Sequence, residues 1–345
     1  MTDKPEKPAP SERKPQNSSR VVAKSDCAGG TNKVKDSLVK CEVKLETGEW
    51  ISPAPGSIFK IDPDAAFPEI NFEVKTDLPG PYHWSWEIKW NVLACPQRQD
   101  KKRFKAKKAK LYSVKGQFIS EAKLWRANLD NQIIGGELTV RVEVASKKFT
   151  RKVSIVGSEP GEAKIIAELA QYSPIQARDA ELAKKIFRQE SKFRQFYSDG
   201  EPLVSFDNGY GLGQATNPVP TFEQTWNWKA HIRYIVTRVI KDKRALAKSY
   251  LDKHGSYTDD DLDMETLVYY NGANYHYLVW DNSSRKWVEN KNVLCDPEQS
   301  NSGWDLTSNN NKGKSVAQLR KGEGDKPKYT GRCYAEHIRD QGLKK

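Results

Sequence analysis

The chain has 345 residues, 37% hydrophobic, 30% charged and 10% aromatic, with a formal net charge of +12. That length suits about two domains, and the charge favours a polyanionic partner such as nucleic acid, an anionic membrane or a bacterial cell wall. No apolar run of about 18 residues is present, which excludes a membrane-spanning helix.

Residues 1–35 hold four prolines in the first fifteen positions, alternating charges and few large apolar side chains. They predict a disordered tail, either plainly solvated or a docking and export segment. The N-terminus lacks the apolar stretch of a secretory signal peptide, so synthesis in the cytoplasm and export by another route are expected.

From 36 to 157 the hydrophobic period is two. Tyr82, Trp84, Trp86, Ile88, Trp90 and Val92 alternate with His83, Ser85, Glu87, Lys89 and Asn91, the pattern of a strand with one buried face. Leu138, Val140, Val142 and Val144 repeat it after the Gly135-Gly136 turn. Phe149, Val153 and Ile155 follow on a returning strand, with Arg151 as the exception. Several strands without a convincing helix predict a β-sandwich, immunoglobulin-like in the loose sense. The lysine-rich run 101–110 reads as a solvated loop or edge strand, or more sharply as a contact for an anionic polymer. No nucleic-acid recognition motif accompanies it, so nucleic acid is not the expected partner.

Near Gly157 the period changes to 3.6, and 158–345 is expected to be mainly α, giving an α+β multidomain chain. Ile165, Ile166 and Leu169 mark one helix; Ala183, Ile186, Phe187 and Phe193 a second; Trp228, Ile232, Ile235 and Val239 a third. Another helix ends at Asn271-Gly272. Asp259, Asp260, Asp261 and Asp263 after Thr258 favour that helix's start over an incomplete calcium loop. Residues 281–330, rich in Asn, Ser, Gly and Lys, read as a long loop before a last helix around Tyr334–Arg339. The five cysteines form no CxxC pair and the five histidines are scattered, so no metal and no cofactor is expected. Cys295 with Cys333 is one disulfide open to the chain in an oxidising compartment.

Glu190 lies four residues after Ile186 and three after Phe187, which places a carboxylate on the apolar stripe of its helix. Burial there raises a carboxyl pKa unless a cation neutralises it, and a carboxylic acid still protonated near neutral pH suits glycosidic-bond cleavage. The alternative is a structural Glu190 paired with Arg188, Arg194 or another basic residue. Downstream comes Asp207-Asn208-Gly209-Tyr210-Gly211-Leu212-Gly213-Gln214, a turn whose glycines allow close backbone approach to a ligand. Tyr269-Tyr270-Asn271-Gly272 then closes a helix, offering a phenol and an amide to an acid or a sugar N-acetyl group, or simply a helix cap.

In order, Glu190-Ser191, Gly211-Leu212-Gly213-Gln214 and Tyr270-Asn271 resemble the lytic transglycosylase and goose-type lysozyme superfamily. That family carries Glu-Ser at a helix end, Gly-Leu-x-Gln in a turn and Tyr-Asn after a later helix. The resemblance spans roughly residues 160–280 and implies a lysozyme-like catalytic domain over 158–345. By position it implies Glu190 as the acid and Ser191 and Gln214 as substrate-positioning residues. Tyr270 would orient the Glu190 carboxyl, and Ser205, Tyr210, Gly211 and Asn271 would lie along the substrate. The chain departs from the pattern in a longer loop around Tyr197–Leu203 and in Tyr269, where a small residue is usual.

The implied substrate is bacterial peptidoglycan, cut at the β-1,4 bond from N-acetylmuramic acid to N-acetylglucosamine. A second carboxylate, Asp199 or Asp207, would activate water and make the enzyme a muramidase. Asp199 followed by Ser205 is also similar to the Asp and Thr spacing of phage-type lysozymes. Without such a base, attack by the muramyl 6-hydroxyl would leave 1,6-anhydro ends, as in lytic transglycosylases. A β-sandwich leading into this domain without a signal peptide resembles the cell-wall-degrading effectors of type VI secretion. That implies delivery to the periplasm of a target cell, a secretion-apparatus contact through the tail or β-domain, and a periplasmic immunity protein as partner. The rival from another class is a non-catalytic peptidoglycan-binding module, with Trp226, Trp228 and Tyr275 stacking on sugars.

Overall fold

The computed structural model describes residues 47–92, 110–205 and 207–341; they belong to one compact unit running from Glu42 to Lys345. The expectations for the tail 1–35 and for the lysine run as far as Ala109 lie outside the described residues, as do Cys27, Cys41 and Cys95.

The first part is built from β1 (Trp50–Ser52), β2 (Ile58–Lys60), β3 (Asn71–Val74), β4 (Tyr82–Val92), β5 (Lys110–Ser120), β6 (Leu124–Arg126), β7 (Gly136–Val144) and β8 (Lys147–Val156). They form a five-stranded sheet in the order β2-β8-β7-β4-β5 and a three-stranded sheet in the order β1-β3-β6. All pairs are antiparallel except β2 with β8. In β4 every second side chain from Tyr82 to Val92 is buried, as the alternation requires. Those rings meet the small sheet through Trp125, whose centroid lies 6.1 Å from Trp84, 6.5 Å from Trp86 and 5.7 Å from Phe72. Arg151, the polar exception on β8, is only 6% exposed and holds its guanidinium 5.6 Å from the Trp50 ring centroid, a cation–π contact that makes burial tolerable.

The helical part follows as α1 (Glu162–Ala170), α2 (Ser173–Glu190), α3 (Phe222–Trp226), α4 (Trp228–Tyr234), α5 (Lys241–Leu251) and α6 (Asp259–Tyr270), with a π-helical segment Ile235–Ile240 joining α4 to α5. Asn227 starts α4 by accepting the Lys229 and Ala230 N–H groups. Thr258 and Asp261 form a capping box at α6 with Asp259 and Asp260 in the first turn. Arg178 pairs with Asp260 and Asp263, and Arg244 with Asp179 and Asp263. The acidic run therefore starts a helix and ties it to its neighbours. Ile186, Phe187, Ile232, Ile235, Val239, Leu267, Val268, Tyr334 and Ile338 share one apolar core.

The long loop expected over 281–330 is instead ordered structure. Strands β9 (Leu278–Asp281) and β10 (Lys286–Glu289) make a hairpin with Trp280 opposite Trp287; β11 (Val293–Cys295), β12 (Ser302–Asp305) and β13 (Lys328–Tyr329) form a small sheet; and α7 (Val316–Arg320) lies between. Its polar side chains build the turns: Asp281 accepts from Ser283 and Ser284, and Asp296, 3% exposed, pairs with Arg320. The last helix, α8 (Gly331–Gln341), is joined to β11 by the Cys295–Cys333 disulfide. None of the described helices is long and apolar enough to cross a membrane.

The core of the sheets also takes in residues of the helical part. Phe196, Val204, Tyr210, Phe222 and Trp226 from the helical part pack in the same cluster as Trp90, Tyr112 and Leu138 of the sheets. The Trp226 ring stands edge-on to Trp90 at 5.3 Å. Trp226 and Trp228, 1% and 2% exposed, are thus core residues and offer no ring to a sugar.

The 38-residue separation of the bridged cysteines gives an expected stabilisation of about 4 kcal/mol from the restricted unfolded chain. Cys333→Ser should lower the denaturant midpoint correspondingly and steepen the slope, because the freed unfolded chain exposes more surface. An unchanged midpoint would show that the bridge adds nothing to stability.

Candidate active site around Glu190

Helix α2 buries Leu182, Ala183, Ile186 and Phe187 and ends on Glu190. Ser191 has already left helical geometry, and Lys192 and Phe193 follow with φ of 54° and 57°. The Phe193 N–H returns to the Phe187 carbonyl at 3.1 Å, a helix ending of Schellman type that swings the Phe193 ring back into the core. Phe193 therefore lies past the helix that its spacing suggested. The Ser191 hydroxyl donates to the Phe187 carbonyl at 3.1 Å and accepts the Arg194 N–H at 3.3 Å. Expected to touch substrate, Ser191 is 4% exposed and caps the helix.

This ending leaves the Glu190 carboxyl partly buried, with no cation paired to it among the described residues. Arg188 turns to Glu162 at 3.6 Å, and Arg194 places its guanidinium 3.5 Å from the Ser191 carbonyl. The partner of Glu190 is a phenol: Tyr334 of α8, 1% exposed, donates to Oε1 at 2.6 Å. Burial pushes the Glu190 carboxyl up to about 7; the Tyr334 hydrogen bond offsets part of that rise and the charge of Asp207 adds to it. Tyr270, expected to orient Glu190, instead donates its hydroxyl to the Gly213 carbonyl. That bond fixes the turn at Gly213, and the charge of Glu190 bears on the same phenol.

That turn is held by groups that spacing alone does not reveal. Gln195, fully buried, accepts the Leu212 N–H at 3.0 Å and donates to the Thr225 carbonyl at 2.7 Å. His231, also fully buried, places Nδ1 3.0 Å from the Gln224 carbonyl. A carbonyl only accepts, so Nδ1 carries the proton and Nε2 accepts the Gly213 N–H at 3.4 Å. The glycines fit this packing. A Cβ on Gly211 would fall 2.7 Å from the Gln195 side chain and 2.9 Å from His231, and one on Gly213 2.8 Å from both Ile235 and the Tyr270 hydroxyl. Tyr210, expected on the substrate, is 1% exposed and stands edge-on to Tyr112 of β5, so it keys the turn into the sheets.

The two candidate bases separate. Asp207 is exposed, accepts the Ser205 hydroxyl, and its charge bears on Glu190. Asp199 accepts the Glu201 N–H at 3.0 Å within its own turn, and its charge bears on Tyr197. Gly200 beside it is bonded to Gly157 at the end of β8. Ser205 thus positions Asp207, and its hydroxyl also accepts the Gly209 N–H at 2.8 Å.

Gln214 and Asn271 each present a buried side-chain oxygen with no hydrogen-bond partner among the described residues. The Gln214 amide nitrogen is anchored to the Gly211 carbonyl at 2.7 Å. Unmet buried acceptors cost about 1–3 kcal/mol each, a penalty that a ligand's hydroxyl or amide N–H would remove. Tyr275 is engaged with Asp305 and Lys328 at 3.3 and 3.2 Å.

His231 carries a testable consequence. Burial lowers its pKa from 6.5 to about 4, so between these values the unfolded chain binds the extra proton. Stability is then complete above about pH 6.5 and falls toward pH 4, by about 3 kcal/mol at the acid end. Urea midpoints for His231→Gln should decline less than wild type over that window; equal declines would assign the loss to other groups. No protein-family model and no curated protein matches this chain.

Proposed function

We propose that the chain cleaves the glycan strands of bacterial peptidoglycan at the N-acetylmuramic acid to N-acetylglucosamine β-1,4 bond, with Glu190 as general acid. The observation that carries this reading is a carboxyl at a helix end, held by a phenol instead of a cation, with its pKa raised to about 7. Such a group keeps a proton to give to the leaving glycosidic oxygen at neutral pH. The partnerless oxygens of Gln214 and Asn271 would receive sugar hydroxyl or N-acetyl N–H donors. Fold class belongs to the same proposal: an immunoglobulin-like β-sandwich followed by a lysozyme-like helical domain.

Asp207 is the better choice of water-activating base, because its charge reaches Glu190 and Ser205 orients it. Water would then attack the anomeric carbon while Glu190 protonates the departing oxygen, giving a reducing end. The lytic transglycosylase reading replaces water with the muramyl 6-hydroxyl and gives Asp207 no chemical step. The Cys295–Cys333 bridge suits an oxidising compartment, which supports delivery to a target periplasm as an antibacterial effector. The net charge of +12 suits an anionic wall.

Digestion of purified peptidoglycan tests the reading. Wild type should release muropeptides with reducing ends, and Glu190→Gln should lose about 1,000-fold or more in rate, the scale of removing a proton donor. Products lighter by one water would establish the transglycosylase instead. No release by wild type, with binding to sacculi retained, would leave a binding module. The acid works only while protonated, so kcat/KM should fall as pH rises through about 7. Asp207→Asn should slow hydrolysis by about 100-fold or more, while Asp199→Asn keeps near-wild-type rate; the reverse order would exchange their roles.

A further inference from the structure

We infer that Tyr329 is a substrate-contact residue of this site, its phenol donating a hydrogen bond to a saccharide oxygen on the open side of Glu190. The inference rests on the glycosidase reading above. Three tyrosines interact with Glu190, Tyr334 by a hydrogen bond and Tyr270 and Tyr329 through its charge, and they differ in what they can reach. Tyr334 is 1% exposed with its hydroxyl committed to Glu190, and Tyr270 is committed to Gly213. Tyr329 is 49% exposed, and among the described residues its hydroxyl has no hydrogen-bond partner.

Its position is fixed by backbone on both sides. Ser302 of β12 stands opposite it in the sheet, the Thr330 N–H is bonded to the Asn301 carbonyl at 2.8 Å, and the Gly331 N–H to the Asn274 carbonyl at 2.9 Å. The disulfide at Cys333 holds the same segment. The ring edge lies 3.6 Å from where a Cβ on Gly272 would stand, which sets Tyr329 against the Tyr270-Asn271-Gly272 turn that carries the partnerless Asn271 oxygen. Partial burial pushes the Tyr329 phenol up from its ordinary pKa, and the charges of Glu190 and Asp207 add to that rise. A neutral phenol near both carboxylates, with a rigid backbone and an open ring, offers one donor and an apolar face, the pairing that suits the edge of a pyranose. An aromatic ring kept half in solvent near two carboxylates adds little to the core. Sequence reading missed it because Tyr329 lies in the polar stretch taken for a loop.

The test separates contact from tuning. On a soluble glycan fragment of peptidoglycan, Tyr329→Phe should raise KM about fivefold with kcat within about twofold, the scale of one neutral hydrogen bond. Tyr329→Ala, which also removes the ring, should raise KM further. The fall of kcat/KM near pH 7 should stay in place in both. Thermal melting should be unchanged, since the ring is half exposed. Unchanged KM in both variants overturns the inference. A displaced pH limb also overturns it, because Tyr329 would then act by tuning Glu190. If wild type turns nothing over, the glycosidase reading fails, and pelleting with intact sacculi decides this inference alone: weaker pelleting of Tyr329→Ala supports contact, and equal pelleting overturns it.

Discussion

The hydrogen bond from Tyr334 to Glu190 joins the end of α2 to the last helix across 144 residues of sequence, and the site depends on its being a phenol. A carboxyl moved from 4.5 to about 7 reflects about 3 kcal/mol against ionisation, reduced by whatever solvent screening its open side supplies. A lysine or arginine in place of Tyr334 would cancel that penalty by fixing a permanent carboxylate, and the proton would be lost to the proposed catalysis. A phenol donates to Oε1 while leaving the other oxygen free to hold a proton, so both protonation states are tolerated. The nearby arginines are drawn off elsewhere: Arg188 to Glu162, and Arg194 to the capping turn.

The glycine turn that follows Glu190 in the chain has hydrogen bonds of its own, and the sheets add to them. Tyr210 carries the turn into the aromatic cluster with Trp90, Tyr112 and Trp226, and Gln195 and His231 accept its Leu212 and Gly213 N–H groups. The sheets therefore form part of the scaffold of the site, whatever else they bind. This also explains why the helical segment does not end its core at Gly157: Gly157 itself lies against Phe196, and Gly200 against Gly157.

Much of the fold was legible because period and burial agree. β4 matches its alternation from Tyr82 to Val92, and Glu190 stood out because a charge on an apolar stripe must be accounted for. What could not be read is what side chains do at close range. Ser191, Tyr210 and Gly211 sit where the family pattern expects substrate contacts, yet a hydroxyl two bonds from the backbone caps a helix just as readily, and a glycine that admits a ligand also admits a glutamine. Residues 281–330 escaped for a different reason. Their strands are short and their stability comes from Asp281, Asp296, Arg320 and the disulfide, none of which leaves a hydrophobic period. Tyr329 was hidden in that stretch, whereas the Cys295–Cys333 pair was open to view as one possible bridge.

The choice between the two aspartates follows from the same contrast of environments. An acid and a base working on one bond must differ in their hold on a proton, and burial alone is enough to separate two carboxyls. Glu190 is partly buried with a single donor; Asp207 is exposed and accepts a hydroxyl. The coupling then works in one direction that helps both roles. A charge on Asp207 makes Glu190 harder to ionise, so the base that would activate water also keeps the acid loaded. Asp199, spent on the N–H of its own turn, exerts no such pull. A site with only Glu190 would still have a proton to give, but the contribution of Asp207 to keeping it there would be missing.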